Sequence, residues 1–268
     1  MSNPRGQAIQ RFAIDAMPRS RAFFLSISSI VAGLLIWQIS ATVLFDSILY
    51  PSALSTLVAL ASEMTRGNLG KDLTITFGRV VAGFAMGSFL GASLGLLMGS
   101  FRSVRTFFSP MVNFFRFITP IAWVAPATIW FGIGETSKLF LVVYATLFIV
   151  LINTMTGISH IHRDRFRMAR SFGANPLEIF WRITIPASVP FIITGMRIGL
   201  GNSFMTVIGA EMLAGNDGLG YLIYSSRLFY RSDVMFAGII LLGVMGFAAD
   251  WLFVLLRRRA LSRYEVLS

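Results

Sequence analysis

Leu73-Thr-Ile-Thr-Phe-Gly-Arg-Val-Val-Ala-Gly-Phe-Ala-Met-Gly-Ser-Phe-Leu-Gly-Ala-Ser-Leu-Gly-Leu-Leu-Met-Gly99 decides the fold of this chain. The run exceeds the roughly 20 apolar residues that a helix needs to cross a bilayer. Its glycines at 83, 87, 91, 95 and 99 recur every four residues. Small residues at that spacing let helix backbones approach closely in lipid, where van der Waals contact drives association. Each step advances about 40° on a helix of 3.6 residues per turn. The ladder is therefore expected to spiral around its helix and serve several neighbours. Plain packing is the first reading of it, and a moving surface the second.

Five further apolar runs flank this one: 22–44, 107–133, 139–158, 189–213 and 234–256. Six spans in an all-α polytopic membrane protein are expected, within a single domain covering 1–268. Composition agrees, because 55% of the residues are hydrophobic and 13% charged, with mean hydropathy +0.72. A soluble chain carries about 25% charged residues, so this one has too few to cover a water-facing surface. Disorder is excluded by the same numbers. Cysteine is absent, which removes disulfides, thiolate metal sites and a cysteine nucleophile. The run at 22–44 follows Arg5, Arg11, Arg19 and Arg21. It is too long for a cleavable signal and is expected to be a retained first span.

The net charge of +11 taken alone suggests nucleic acid. Assigning the charges to segments gives a different answer. With the N-terminus inside, the cytoplasmic segments hold Arg5, Arg11, Arg19, Arg21, Arg102, Arg105, Arg163, Arg165, Arg167, Arg170, Arg182, Arg257, Arg258, Arg259 and Arg263, fifteen of 23 basic residues. The outer segments hold Arg66, Lys71, Lys138, Arg227 and Arg231, and the apolar runs hold Arg79, Arg116 and Arg197. This bias places both termini in the cytoplasm. The basic excess is a topology signal, and no nucleic-acid partner is expected.

Several connections carry their own signals. Ala53 to Met64 has apolar residues at helical spacing and reads as a short interfacial helix outside. Asn216-Asp217-Gly218 marks a turn between the last two spans. Pro110, Pro120 and Pro126 predict a kinked or discontinuous third span, of the kind that lines a transport pathway. Gly195, Gly199 and Gly201 repeat the small-residue theme in the fifth.

The longest cytoplasmic connection, His160 to Pro186, predicts two short helices separated by Gly173. The first covers Asp164 to Phe172. The second starts at Pro176, a favoured first helical position, with Asn175 as its cap. Leu177, Phe180 and Trp181 give the second an apolar face in a loop that should be wet. Such a face fits a docking surface for another protein or a helix lying on the lipid interface. The residues alone favour neither.

This loop resembles the EAA motif of the membrane subunits of binding-protein-dependent ABC importers. Ala169 falls at the second alanine, Gly173 at the glycine, Ile183 at the isoleucine and Pro186 at the proline, with nine residues between Gly173 and Ile183. Arg167 stands at the glutamate, Met168 at the first alanine and Ile185 at the leucine. Pro120-Ile-Ala-Trp-Val-Ala-Pro126, Ile129-Trp-Phe-Gly-Ile-Gly-Glu-Thr-Ser-Lys138, Gly218-Leu-Gly-Tyr-Leu-Ile223 and Asp250-Trp251 resemble the aliphatic sulfonate, taurine and nitrate branch. The resemblance implies a type I importer permease fold in a bacterial inner membrane. It also implies a second copy of the permease, a cytoplasmic ATPase dimer on the loop 160–186, and an extracytoplasmic solute-binding protein. ATP and Mg would belong to the ATPase. Arg167 reverses the sign of the usual coupling ion pair.

No phosphate-binding motif or catalytic cluster is present in the sequence, so a transport subunit is expected rather than an enzyme, with no cofactor of its own. His160 and His162 share one short loop, which argues against a Ser-His-Asp enzyme. No acidic or further histidine ligand is expected near them, and they read as solvated loop histidines. Charges within the apolar runs are the better candidates, since each is costly there and faces protein or water. Arg197, Asn202, Ser203, Thr206 and Glu211 on the fifth span, with Trp123 on the third, form the candidate solute path. Arg197 would help an anion across, or else satisfy buried carbonyls or snorkel to headgroups. Glu211 would anchor an outer gate or cap the turn at 215–220. The alternative class is an ion-coupled transporter or channel without an ATPase. It lacks convincing repeats and paired midplane carboxylates here.

Overall fold

The computed structural model describes residues 19–44, 49–65 and 69–260. Arg5, Arg11, Arg66 and Arg263, and with them the placement of both chain ends, lie outside the described residues. All regular elements within them are helices. In chain order they are α1 (Arg19–Ile39) with a π turn (Ser40–Leu44), α2 (Ala53–Thr65), α3 (Leu69–Ser100) and α4 (Arg102–Phe115). A 3-10 turn (Pro120–Trp123) leads into α5 (Val124–Phe131) and α6 (Glu135–Ser159). Then come α7 (Arg163–Ser171), α8 (Pro176–Ile179), a second π turn (Phe180–Thr184), α9 (Ile185–Ala214), α10 (Leu219–Leu228) and α11 (Ser232–Ala260).

Four of these are long and apolar enough to cross a membrane: α3, α6, the unbroken Pro176–Ala214 rod and α11. The helices α4 and α5 qualify only as a pair bent by 87°, and the apolar part of α1, Ile27–Val43, is shorter. The bend falls where Thr119 precedes Pro120. Thr119 is extended (φ −62°, ψ 134°), because the proline ring disfavours helical geometry in the residue before it. Pro110 sits inside α4 and Pro126 in the first turn of α5, so Pro120 marks the break. The Tyr144 hydroxyl of α6 donates to the carbonyl of Phe115 at 2.5 Å, adding a second donor to a carbonyl at the end of α4 that already accepts from Ile118 N at 3.0 Å.

The centre of the bundle is α6, packed between α3 and α9. All five glycines of the ladder face it. A Cβ on Gly83 would lie 2.5 Å from Val142, on Gly87 2.7 Å from Thr146, on Gly91 2.5 Å from the carbonyl of Leu147, on Gly95 2.7 Å from Thr154, and on Gly99 against Ile158. The ladder thus serves one neighbour along its whole length, not several. The partner side chains 142, 146, 154 and 158 keep the same four-residue period, so the two helices track each other as both faces drift. On the adjoining face of α6, Gly199 meets Thr146 and Gly195 meets Asn153. Thr146 touches both flanking helices, and its hydroxyl lies 2.8 Å from that of Ser203.

Beyond this core, α2 packs on α11 and is tied to it by an ion pair between Glu63 and Arg231, in the turn before α11. Large side chains such as Phe89, Met205, Ile129 and Phe247 are exposed on the outer faces, as expected of surfaces covered by lipid or another subunit.

Candidate coupling loop and membrane ion networks

At one end of the bundle the connection 160–186 folds as a helical hairpin. Its first helix, α7, runs one residue earlier than expected, over Arg163–Ser171. Gly173 ends it at φ +79°, with its N–H donating to Arg170 O at 2.9 Å and that of Ala174 to Ala169 O at 3.0 Å. A residue in this left-handed conformation closes a helix and favours glycine. Asn175 caps α8: its Oδ1 accepts from Glu178 N at 2.8 Å, while Glu178 Oε2 accepts from Asn175 N at 3.0 Å. Pro176 occupies the first helical position, as expected.

The hairpin's apolar side chains divide. Phe172 (89%), Leu177 (64%) and Trp181 (66%) are exposed, as is Met168. Phe180 turns inward and packs on Phe101, 5.8 Å between ring centroids, while Ala169, Ile183 and Pro186 are half-buried. Arg167 pairs with Asp164 of its own helix at 3.4 Å. The histidines separate too. His160 stacks on Phe191, and His162 Nδ1 lies 3.2 Å from Asp164. An acidic neighbour is therefore present after all, two residues on in the chain. Among the described residues no three metal-ligating side chains converge.

The opposite end of the bundle holds a network that sequence reasoning missed. Arg79, on α3, is 3% exposed, and Glu211, on α9, is fully buried; Arg79 Nη1 donates to Glu211 Oε1 at 2.7 Å. The same guanidinium donates to Glu135 at the start of α6 and to Asp217 in the loop after α9. Lys138 Nζ stands 3.2 Å from Asp217. The start of α10 closes the arrangement. Its N–H groups at Gly218, Leu219 and Gly220 donate to Asp72 Oδ1, Thr76 Oγ1 and Glu211 Oε2, each at 2.9 Å. Orphan donors of one helix are thus received by side chains of two others. Gly218 has φ +96°, and a Cβ on it would meet the Glu211 carboxylate. In the loop, the Arg79 guanidinium holds the Asp217 carboxyl below its usual range, against the opposing effect of burial and with help from Lys138. Glu211 therefore does cap the turn, and does so from inside an ion network.

The candidate path residues lie in different surroundings. Arg197 forms a two-pronged pair with Asp250 of α11, Nε and Nη2 each 2.8 Å from a carboxylate oxygen, and both side chains are about half exposed. Asn202 is half-buried, its Nδ2 donating to Ala145 O at 3.4 Å. Ser203, Thr206 and Glu211 are buried against neighbouring helices. Trp123 follows the α4–α5 break within a ring cluster that includes Phe115, Trp130, Phe140 and Tyr144. Arg116 sits at the break with its guanidinium 4.7 Å over the Phe117 ring.

Comparison with known proteins bears on this arrangement. A family model described as "Binding-protein-dependent transport system inner membrane component" matches residues 87–262. The taurine transport system permease protein TauC of Escherichia coli K12 is 31% identical over 252 residues, covering 92% of this chain and 90% of its own. The putative aliphatic sulfonates transport permease protein SsuC of the same organism is 35% identical over 216 residues, with 80% and 82% covered. A solved inward-facing structure of the MetNI methionine ABC transporter aligns with TM-score 0.64 at 18% identity, over 74% of this chain and 98% of that one. That likeness concerns the fold.

Proposed function

The chain belongs to the binding-protein-dependent transport system inner membrane component family, and on that premise we propose that it is the membrane-spanning subunit of an ATP-driven importer for a small anionic solute. Relatives named for taurine and aliphatic sulfonates support that solute class. In this reading six helical spans cross a bacterial inner membrane with both termini in the cytoplasm; α1 and the bent α4–α5 pair join the four long helices. Two copies of the chain enclose the path. Two ATPase subunits, which carry ATP and Mg, dock on the 160–186 hairpins, and a solute-binding protein delivers from the far side. Hydrolysis lies in the separate subunit, as is general for this family.

One observation carries the reading: the helix beginning at Pro176 in the exposed hairpin runs without a break to Ala214 and bears Glu211 of the ion network at its other end. A partner that moves the hairpin moves the same rod that anchors the far turn. Leu177, Trp181 and Phe172 supply the docking surface, with Met168 beside them. Arg167, already paired with Asp164, is a weak candidate for an ion pair with the ATPase. The Arg197–Asp250 pair supports a wet or protein-covered face for that part of α9, because half-exposed charges within apolar helices are costly against lipid. In this reading the solute path runs along this face and past Trp123, while Ser203, Thr206 and Glu211 hold α9 against its neighbours.

The test is co-purification with the cognate ATPase and uptake of a radiolabelled sulfonate. Leu177→Glu with Trp181→Glu should abolish both ATPase retention and uptake while leaving the permease in the membrane. Full retention of the ATPase by that variant would overturn the docking role.

A further inference from the structure

Behind the hairpin, at the end of the bundle that the arginine distribution marks as cytoplasmic, lies a cavity of about 690 Å³. It is bounded by the end of α3, the start of α4, the end of α6 and the two hairpin helices. Arg105 of α4 lines one side of it, and Arg163 and Arg170 of α7 the other. None of the three side chains makes an ion pair among the described residues. A smaller cavity of about 230 Å³ adjoins it, sharing Arg105 and adding Arg116. No carboxylate lines either space. The hairpin's two acidic residues are engaged elsewhere, Asp164 with His162 and Arg167 and Glu178 with the α8 cap.

Four guanidinium groups line these adjoining spaces, and no carboxylate among the lining residues offsets their charge. Phe101, Phe166, Phe180 and Ile158 form the apolar part of the larger wall, and Ser100 and Ser159 add hydroxyl groups. The combination of forked cations, hydroxyls and apolar wall suits an oxyanion with three or four peripheral oxygens, and the volume lies within the range of ordinary ligand sites.

We propose that this cavity binds a phosphate-class oxyanion, held between Arg105 of α4 and Arg163 and Arg170 of α7. The anion neutralises the cluster and ties the hairpin to the α3–α4 junction, so its occupancy stiffens the surface on which a partner docks. Two sources share this chemistry: the phosphodiester headgroup of an anionic lipid, for which basic pockets at the cytoplasmic boundary are suited, and free inorganic phosphate.

Thermal unfolding of the full-length chain in phosphatidylcholine nanodiscs tests it, with phosphatidylglycerol in the bilayer in one arm and inorganic phosphate in solution in the other. Stabilisation by phosphatidylglycerol alone identifies the lipid, and stabilisation by phosphate alone the free ion. In either case Arg105→Gln/Arg163→Gln/Arg170→Gln should weaken apparent affinity at least about tenfold. The triple lysine variant should retain most of it, and Arg258→Gln/Arg259→Gln, on the same side but outside the cavity, should be silent. If the glutamine triple fails to fold, Arg105→Gln and Arg170→Gln, on different helices, must each weaken binding severalfold. No stabilisation in either arm, or equal stabilisation of wild type and the arginine variants, would overturn the proposal.

Discussion

Arg79 and Glu211 are 132 residues apart in sequence, and their charged groups are 2.7 Å apart in a site closed to solvent. Removing Arg79 leaves Glu211 buried without a counter-charge, which costs about 3–5 kcal/mol, whereas neutralising both costs less; Arg79 itself keeps Glu135 and Asp217 when Glu211 is removed. Arg79→Gln should therefore lower the thermal unfolding midpoint strongly. Arg79→Gln with Glu211→Gln should recover part of the loss. Strictly additive losses in the double variant would show that the two residues do not act as a pair.

The glycine ladder makes a positional prediction. Gly91→Ala places a methyl 2.5 Å from the Leu147 carbonyl, while Gly78→Ala, on the same helix, meets nothing within 4 Å. The first should destabilise by about 1–3 kcal/mol; the second should be neutral or slightly stabilising. Detergent-resistant folded fractions measured by size-exclusion fluorescence would distinguish the two.

Gly173 predicts the reverse order of size. No atom lies within 4 Å of its would-be Cβ, yet its φ is +79°, so the demand is conformational. Asparagine adopts that region more readily than alanine. Gly173→Asn should retain the ATPase better than the smaller Gly173→Ala. Pull-down of the ATPase from membranes would show it, and the opposite order would mean that space, not backbone geometry, limits the position.

For Arg197 the pairing with Asp250 separates two roles. If the pair positions α9 against α11, Arg197→Gln and Asp250→Asn should reduce uptake similarly, and the exchange Arg197→Asp/Asp250→Arg should restore a substantial part. If Arg197 acts on the solute directly, Arg197→Gln alone should abolish uptake and the exchange should not rescue it. The bidentate geometry favours the first outcome.

Acid should loosen the 215–218 turn. A carboxyl held below its usual range stabilises the fold above the unfolded value, near 3.9, and that contribution is lost as pH falls through the lower folded value. Asp217 has its shift from Arg79 first, so limited proteolysis at this turn should increase only well below about pH 4. Asp217→Asn should be more susceptible at neutral pH and show a smaller acid step there, the remainder coming from Glu135, which also pairs with Arg79.

How far the sequence could be read depended on the distance over which each signal acts. The long apolar helices, an interruption of the third run at one of its prolines, the Asn175 cap and the helix end at Gly173 depend on neighbours within a turn or two, and these were readable. The ladder's period was readable and its partner was not, because nothing local says that 142, 146, 154 and 158 share that period on another helix. The ion network was missed for the same reason. Asp72 and Arg79 of α3, Glu135 of α6, and Glu211 and Asp217 around the end of α9 come from three distant stretches of chain. One signal was available: Arg79 and Arg197 each sit inside an apolar run and each needs a partner. Searching the other runs and their ends for carboxylates would have found Glu211 and Asp250.

The Pro176–Ala214 rod has a geometric consequence. Its 39 residues make it about 58 Å long at 1.5 Å per residue. Pivoted at one end, a beam of that length sweeps roughly 1 Å at its tip for each degree of tilt. The distances in the Arg79–Glu211–Gly220 cluster leave no slack of that order, so a tilt of a few degrees at the hairpin must either break that cluster or be absorbed on the way. The π turn at Phe180–Thr184 and Pro190 within α9, where the regular helical bonding is interrupted, are the places along the rod suited to absorb it.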